Sequence, residues 1–188
     1  TVALKGIATP DATVANQSVL LMVTNGLNGF SEASYDAVMG LGMQDIARNN
    51  DSDLSPLSSL HSSVVSVCYG QRDGEAGTMI VGGGHAGLQY FDLPVVGSLH
   101  WAVDMGKVSV GGKGAGCDNG NGCREILDSG TSLIAAPAAQ LEQILNLIGE
   151  VKQDCSNIKE LPTITLQLGE HTVDLPPEIY VAKLKDVE

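Results

Sequence analysis

Basic residues are scarce in this chain. Ten Lys and Arg stand against 22 Asp and Glu, the net charge is -12, and Lys and Arg nowhere form a cluster. Phosphate backbones and anionic headgroups are held by such clusters, so nucleic acid and anionic membranes are excluded as expected partners. A pI near 4.5 brings the charge toward zero in acid, which permits work in an acidic compartment without requiring it. Long apolar runs are missing too. Ser18 to Val23 has the length of a strand, and a bilayer takes about 20 residues, so no membrane span is predicted. The opening Thr1-Val2-Ala3-Leu4-Lys5 lacks an initiator Met, a basic n-region and a signal-peptide core. On that ground the chain is expected to be a piece of a longer polypeptide.

Several reactive motifs are also lacking. There is no CxxC pair with a nearby His, and His61, His85, His100 and His171 show no i, i+4 pairing, so no metal is expected. The glycine clusters Gly82-Gly83-Gly84 and Gly111-Gly112-Lys113-Gly114 do not end in Gly-Lys-Ser/Thr. They read as turns, and no cofactor is expected. The absence of a G-x-S-x-G elbow weakens a serine-hydrolase reading.

What the chain does contain is glycine, 23 residues of it, punctuating short β-branched runs. That is the pattern of a mostly β protein, and 43% hydrophobic content suffices for a core. Cys117 and Cys123 enclose Asp118-Asn119-Gly120-Asn121-Gly122, whose Asn-Gly steps favour a tight reversal. A small disulfide loop is the best reading, and it points to an oxidising, secretory compartment. The sequons at Asn16 and Asn50 agree; Asn50, in a polar loop, is the better glycan candidate.

In chain order, two strands are expected between Thr1 and Val23 around Thr9-Pro10-Asp11, then a buried strand at Tyr35 to Gly42. Asp36, within it, reads as a structural carboxylate or a second acid. Ser55-Pro56-Leu57 reads as a capped helix start reaching Leu60. Ser63 to Tyr69 and Thr78 to Val81 form a plausible hairpin. Strands are expected at Leu93 to Val96, Leu99 to Val103 and Val108 to Val110. Pro137 opens a helix whose apolar face is Leu141, Ile144, Leu145 and Ile148, with Gly149 as its stop. Ile164 to Leu168 and His171 to Leu175 alternate around a two-residue Gly169-Glu170 turn.

The candidate for chemistry is Asp128. Ile126 and Leu127 run into Asp128-Ser129-Gly130-Thr131-Ser132 and the chain then returns to apolar Leu133-Ile134. This lifts a carboxylate out of an expected buried strand into a loop rich in hydrogen-bond donors. On local sequence alone an ordinary acidic turn accounts for the same residues at least as well.

The order of these motifs resembles the pepsin and cathepsin D family of aspartic proteases over nearly the whole chain. Tyr35 to Gly42 is similar to that family's Phe-Asp-Gly-Ile-Leu-Gly-Leu stretch, and Ile80-Val81-Gly82-Gly83 to its lobe-linking segment. His100-Trp101 through Gly112 resembles its Trp-bearing strand, and Cys117 to Cys123 its small disulfide loop. Ile126 to Pro137 resembles its second active-site loop, and Val173 to Tyr180 a late strand of its C-terminal lobe. The resemblance implies a bilobal, mostly β acid-protease fold with double-psi β-barrel lobes, incomplete at both ends here. Residues 1–86 would be the later part of the N-terminal lobe and 87–188 most of the C-terminal lobe.

It further implies that Asp128 is one half of a two-aspartate dyad that activates a water to hydrolyse peptide bonds. Gly130 and Thr131 would hold the carboxylate, Ser129 would tie the two active-site loops together, and Ser132 would line the cleft. Val38-Met39-Gly40 would be a loop-bracing strand whose own aspartate is missing, just as Asp128 lacks its brace. The remaining polypeptide of the same protease is therefore expected as a partner, with a polypeptide as substrate and a secreted, lysosomal or vacuolar location. By the same comparison Cys155 pairs beyond Glu188, whereas Cys68 has no usual counterpart. An aromatic content of 4% is low for a cleft that grips apolar side chains. It keeps a noncatalytic binding or structural protein on the same fold as the alternative.

Overall fold

The computed structural model describes residues 2–4, 12–14, 17, 37–46, 55–70, 72, 74–117 and 122–182. Asn16, Asp36 and Asn50 lie outside them. The chain divides into two compact units, Thr1–Gln89 with Ser98–His100, and Tyr90–Gly97 with Trp101–Glu188. Strands dominate both and helices are few, so the molecule is mostly β, in keeping with a pepsin-like fold.

In the first unit, strands β1 (Val2–Leu4) and β2 (Ala12–Val14) pair antiparallel, on either side of the expected break. Helix α1 (Pro56–Ser59) begins where Ser55 caps it: the Ser55 hydroxyl accepts from the Ser58 N–H at 3.4 Å. Pro56 sits in the first turn, where its missing N–H costs nothing. Strands β3 (Val65–Cys68) and β4 (Thr78–Val81) form the expected hairpin, with Val65 opposite Val81 and Cys68 opposite Thr78. The expected buried strand at Tyr35 to Gly42 is corrected over its described part. Residues 37–41 have no regular structure, residues 37–40 are exposed, and Val38 reaches 74%. Apolar composition does not make a strand; a ladder partner does, and residues 37–41 belong to no strand.

The second unit is built on β5 (Ala102–Val110), a nine-residue strand flanked on one edge by β7 (Cys123–Ile126) and β6 (Lys113–Gly116), and on the other by β8 (Ile164–Leu168). Strand β9 (His171–Leu175) lies beyond β8, Leu168 facing His171 across the two-residue turn as expected. Gly169 has φ 59, which glycine adopts without a Cβ penalty. The two separate strands predicted at Leu99 to Val103 and Val108 to Val110 are thus one strand beginning at Ala102. The register explains how. Met105 pairs with Leu168 and Lys107 with Gln167, so Gly106 is an extra residue, a β-bulge. It shifts the side-chain phase by one, and Val103, Met105, Val108 and Val110 all enter the same core. Leu93 to Val96 makes only a single bridge, Val95 to Val103; Pro94 has no N–H to extend it.

That core gathers the four β5 residues with Ala115, Cys117, Ile164 and Leu168. Helix α2 (Ala138–Ile148) packs on β6 and β5. Its start is the Leu141 N–H donating to the Pro137 carbonyl at 2.9 Å, and its end is the Gly149 N–H donating to Leu145 at 3.0 Å. The packed residues are Ile144, Leu147 and Ile148. Leu145, predicted on the inner face, is 54% exposed, so the buried stripe is rotated toward Leu147. Helix α3 (Pro177–Tyr180) closes on the sheet, the Tyr180 hydroxyl donating to the Pro162 carbonyl at 2.5 Å. Phe91 stacks on His171 with ring centroids 4.2 Å apart, holding the segment before β5 against the β8–β9 hairpin.

Cys117 and Cys123 are joined in a disulfide between the end of β6 and the start of β7. Closing so short a loop restricts the unfolded chain by about 2 kcal/mol. Replacing both with Ser is expected to lower the unfolding free energy by roughly that amount in chemical denaturation, with the m-value little changed.

Candidate active site

Strand β7 delivers the chain to Asp128. Its four residues pair with β5, Cys123 with Met105 through Ile126 with Ala102. One further backbone bond, Leu127 N–H to the Trp101 carbonyl at 3.0 Å, precedes the turn. The Asp128 carboxylate is then clamped by its own loop. Oδ1 accepts the Gly130 N–H at 2.8 Å, and Oδ2 accepts the Thr131 hydroxyl. The Thr131 N–H donates to the Asp128 carbonyl at 3.4 Å, closing the turn. A Cβ added at Gly130 would stand 3.2 Å from Oδ1; glycine lets the amide approach the carboxylate this closely. Aspartate through Ser132 are all exposed. The arrangement presents an oriented carboxylate to solvent, which can hold or receive a proton from a bound water.

The strand that carries this turn is less buried than expected. Ile126 and Leu127 are 49% and 54% exposed, and Leu133 beyond the turn reaches 75%. The reason is the register: the core residues Val103 and Met105 face Glu125 and Cys123, so Ile126 falls on the opposite face with Arg124. Arg124 lies 3.8 Å from Asp104 across that face, both widely exposed.

Glu125 is the residue that sequence reasoning passed over. It is partly buried, and burial raises its carboxyl above the ordinary value of 4.5. The available signal was its phase, two residues after Cys123, once that cysteine is placed inward. Val38, Met39 and Gly40 belong to the first unit and Asp128 to the second. Cys68 and Cys155 carry free thiols, the first exposed and the second partly buried. Among the described residues no group of His, Cys, Asp and Glu could hold a metal ion. No helix among them is long and apolar enough to cross a membrane.

Sheet and turn together define a β protein that displays a clamped aspartate between a short disulfide-anchored strand and an apolar segment. The chain belongs to the eukaryotic aspartyl protease family, whose family model matches residues 1–188. It is similar to gastricsin of Cavia porcellus, with 28% identity over 187 residues that cover 91% of this chain and 47% of gastricsin. It is similar also to cathepsin D of Mus musculus, 29% identical over 174 residues, 82% of this chain and 41% of the relative. Pepsin A of Gallus gallus is 28% identical over 187 residues, 93% of this chain and 50% of that protein. The chain thus spans about half the length of the curated relatives it matches.

Proposed function

We propose that this chain is part of a pepsin-like aspartic endopeptidase and that Asp128 supplies one of its two catalytic carboxylates. The observation that carries the reading is the clamp on Asp128, one oxygen held by the Gly130 amide and the other by the Thr131 hydroxyl, in a chain of this family. Of two carboxylates sharing one proton, the ionised one takes a proton from water as that water attacks the scissile carbonyl. The protonated one polarises the carbonyl oxygen. No covalent acyl-enzyme forms. The partner aspartate and the strand bracing Asp128 come from the remaining polypeptide of the same protease, so this chain alone is inactive. Val38-Met39-Gly40 in turn braces the partner loop. Residues 1–86 contribute the later part of one lobe and 87–188 most of the other. The substrate is a polypeptide, and the disulfide fits a secreted or an acidic lysosomal or vacuolar setting.

The test is cleavage of an unfolded protein in acid by the completed protein, with and without pepstatin. Pepstatin-sensitive cleavage is the expected result, and a folded but inactive completed protein would refute the reading. The low aromatic content, 4%, favours a second reading in that event, a noncatalytic binding protein. Saturable binding of peptides without turnover would identify it.

Gly130 gives a finer test. An Ala side chain there must push Oδ1 aside by a few tenths of an ångström, since its Cβ would begin 3.2 Å away. Misplacing a reacting group costs rate rather than binding, so G130A is expected to lower kcat roughly tenfold to a hundredfold with KM little altered. Steady-state kinetics on a peptide substrate would check the split.

A further inference from the structure

We propose that Glu125 is a positioning residue that makes the placement of the Asp128 turn dependent on pH. Strand register puts it there: Glu125 pairs with Val103, and its neighbour Cys123 pairs with Met105. Val103 and Met105 are core residues, and Cys123 packs against that core. Cross-strand partners share a face, so the Glu125 carboxyl lies on the core side of β7, among apolar neighbours. Among the described residues of β5 and β7, that side carries no other charge. β5 offers Val103 and Met105 on that side, and Cys117 is bound in the disulfide. The nearest charges in β7 and β5, Arg124 and Asp104, are exposed on the other face and directed at each other. Burial raises the carboxyl above its ordinary value.

The neutral acid is therefore the form that this position tolerates. Its contribution to stability is fully present below the ordinary 4.5 and is lost as pH rises through the higher value of the folded state. A carboxylate formed at this partly buried position gains hydration by moving outward. The least costly route is to release the end of β7, which is held by a four-residue ladder and the Leu127 to Trp101 bond, while the longer β5–β8 pairing stays intact. Asp128 follows directly, so its turn is ordered in acid and loosens as Glu125 ionises. Only the effect on catalysis rests on the function proposed above; the ordering of the turn does not.

Hydrogen exchange in the completed protein tests this, comparing E125Q with the natural sequence in acid and near neutrality. After correction for intrinsic rates, protection of the Ile126 and Leu127 amides, referenced to Val108 and Val110, is expected to fall several-fold with rising pH in the natural protein. It should stay flat in E125Q. Parallel profiles in the two proteins would overturn the proposal. Should E125Q fail to fold, E125A provides the same comparison without an ionisable group. An inactive protein that shows the expected exchange difference would leave Glu125 as the pH-sensitive residue and remove the catalytic reading alone.

Discussion

Asp128→Asn is expected to abolish acid proteolysis by the completed protein while leaving its thermal unfolding within about half a kcal/mol of the natural sequence. The two halves of that expectation have separate causes. The side chain is exposed, and an amide keeps its shape. Asn Oδ1 can still accept the Gly130 N–H, now made at 2.8 Å, and the Thr131 hydroxyl can turn to accept from the new NH2 group. The fold loses nothing that water does not replace. The chemistry loses the group that takes up a proton, and a positioned acid–base group is worth about a hundredfold to ten-thousandfold in rate. An amide can neither share the dyad's proton nor deprotonate water, so substrate binding should survive while turnover does not. Steady-state cleavage assays beside differential scanning calorimetry separate the two effects. Retained turnover in the Asn variant would assign the chemistry to another residue; a large loss of stability would make Asp128 a structural carboxylate.

How much of this was legible in the sequence depends on whether the information is local. The β8–β9 hairpin was readable to the residue because alternation and the Gly169-Glu170 turn are local signals. Ser55-Pro56 and Pro137 with Gly149 likewise mark helix ends through backbone chemistry that needs no partner. Helix periodicity located α2 but not which edge of its stripe meets the sheet. Leu141 and Leu145 form one side of that stripe and Leu147 with Ile148 the other, and only the position of β5 and β6 decides between them. The Asp128 clamp was legible because Gly130 and Thr131, which make it, lie within three residues. Glu125 was not, since an acid between Arg124 and Ile126 reads as solvent-facing until the pairing with Val103 is known. The segment at Val38 to Gly40 failed for the converse reason: its composition is that of a buried strand, and burial must be supplied by other elements.

Deleting Gly106 together with Lys107 is expected to abolish cooperative folding of the second unit, whereas deleting Gly106 alone, or Gly106→Ala, should be nearly neutral. The contrast follows from what Gly106 does in β5. Val103 and Met105 are odd-numbered and Val108 and Val110 even-numbered, yet all four are buried together. Side chains alternate across a sheet with a period of two, so only one extra residue between the pairs can bring both onto one face. Without Gly106 alone, Met105, Lys107 and Val108 alternate regularly and all four stay inward; with Lys107 removed as well, Val108 follows Met105 directly, so Val108 and Val110 turn outward and Ser109 inward. Exposing two buried valines costs about 3–6 kcal/mol. Burying the Ser109 hydroxyl without a partner adds about 1–3 more. The total rivals the whole stability of a domain, roughly 5–15 kcal/mol. The alternative is to slip β8 and β6 against β5, which would break the pairings of Val108, Ser109 and Val110 on both edges. An Ala at 106, by contrast, keeps the residue count, and its Cβ would approach nothing nearer than the Gln167 side chain at 3.9 Å. Urea unfolding followed by circular dichroism distinguishes the cases. The Ala variant and the single deletion should keep a midpoint near that of the natural protein, and the double deletion should show no cooperative transition for this unit. A double deletion that unfolds cooperatively at the natural midpoint would mean that the bulge does not set the phase of the core.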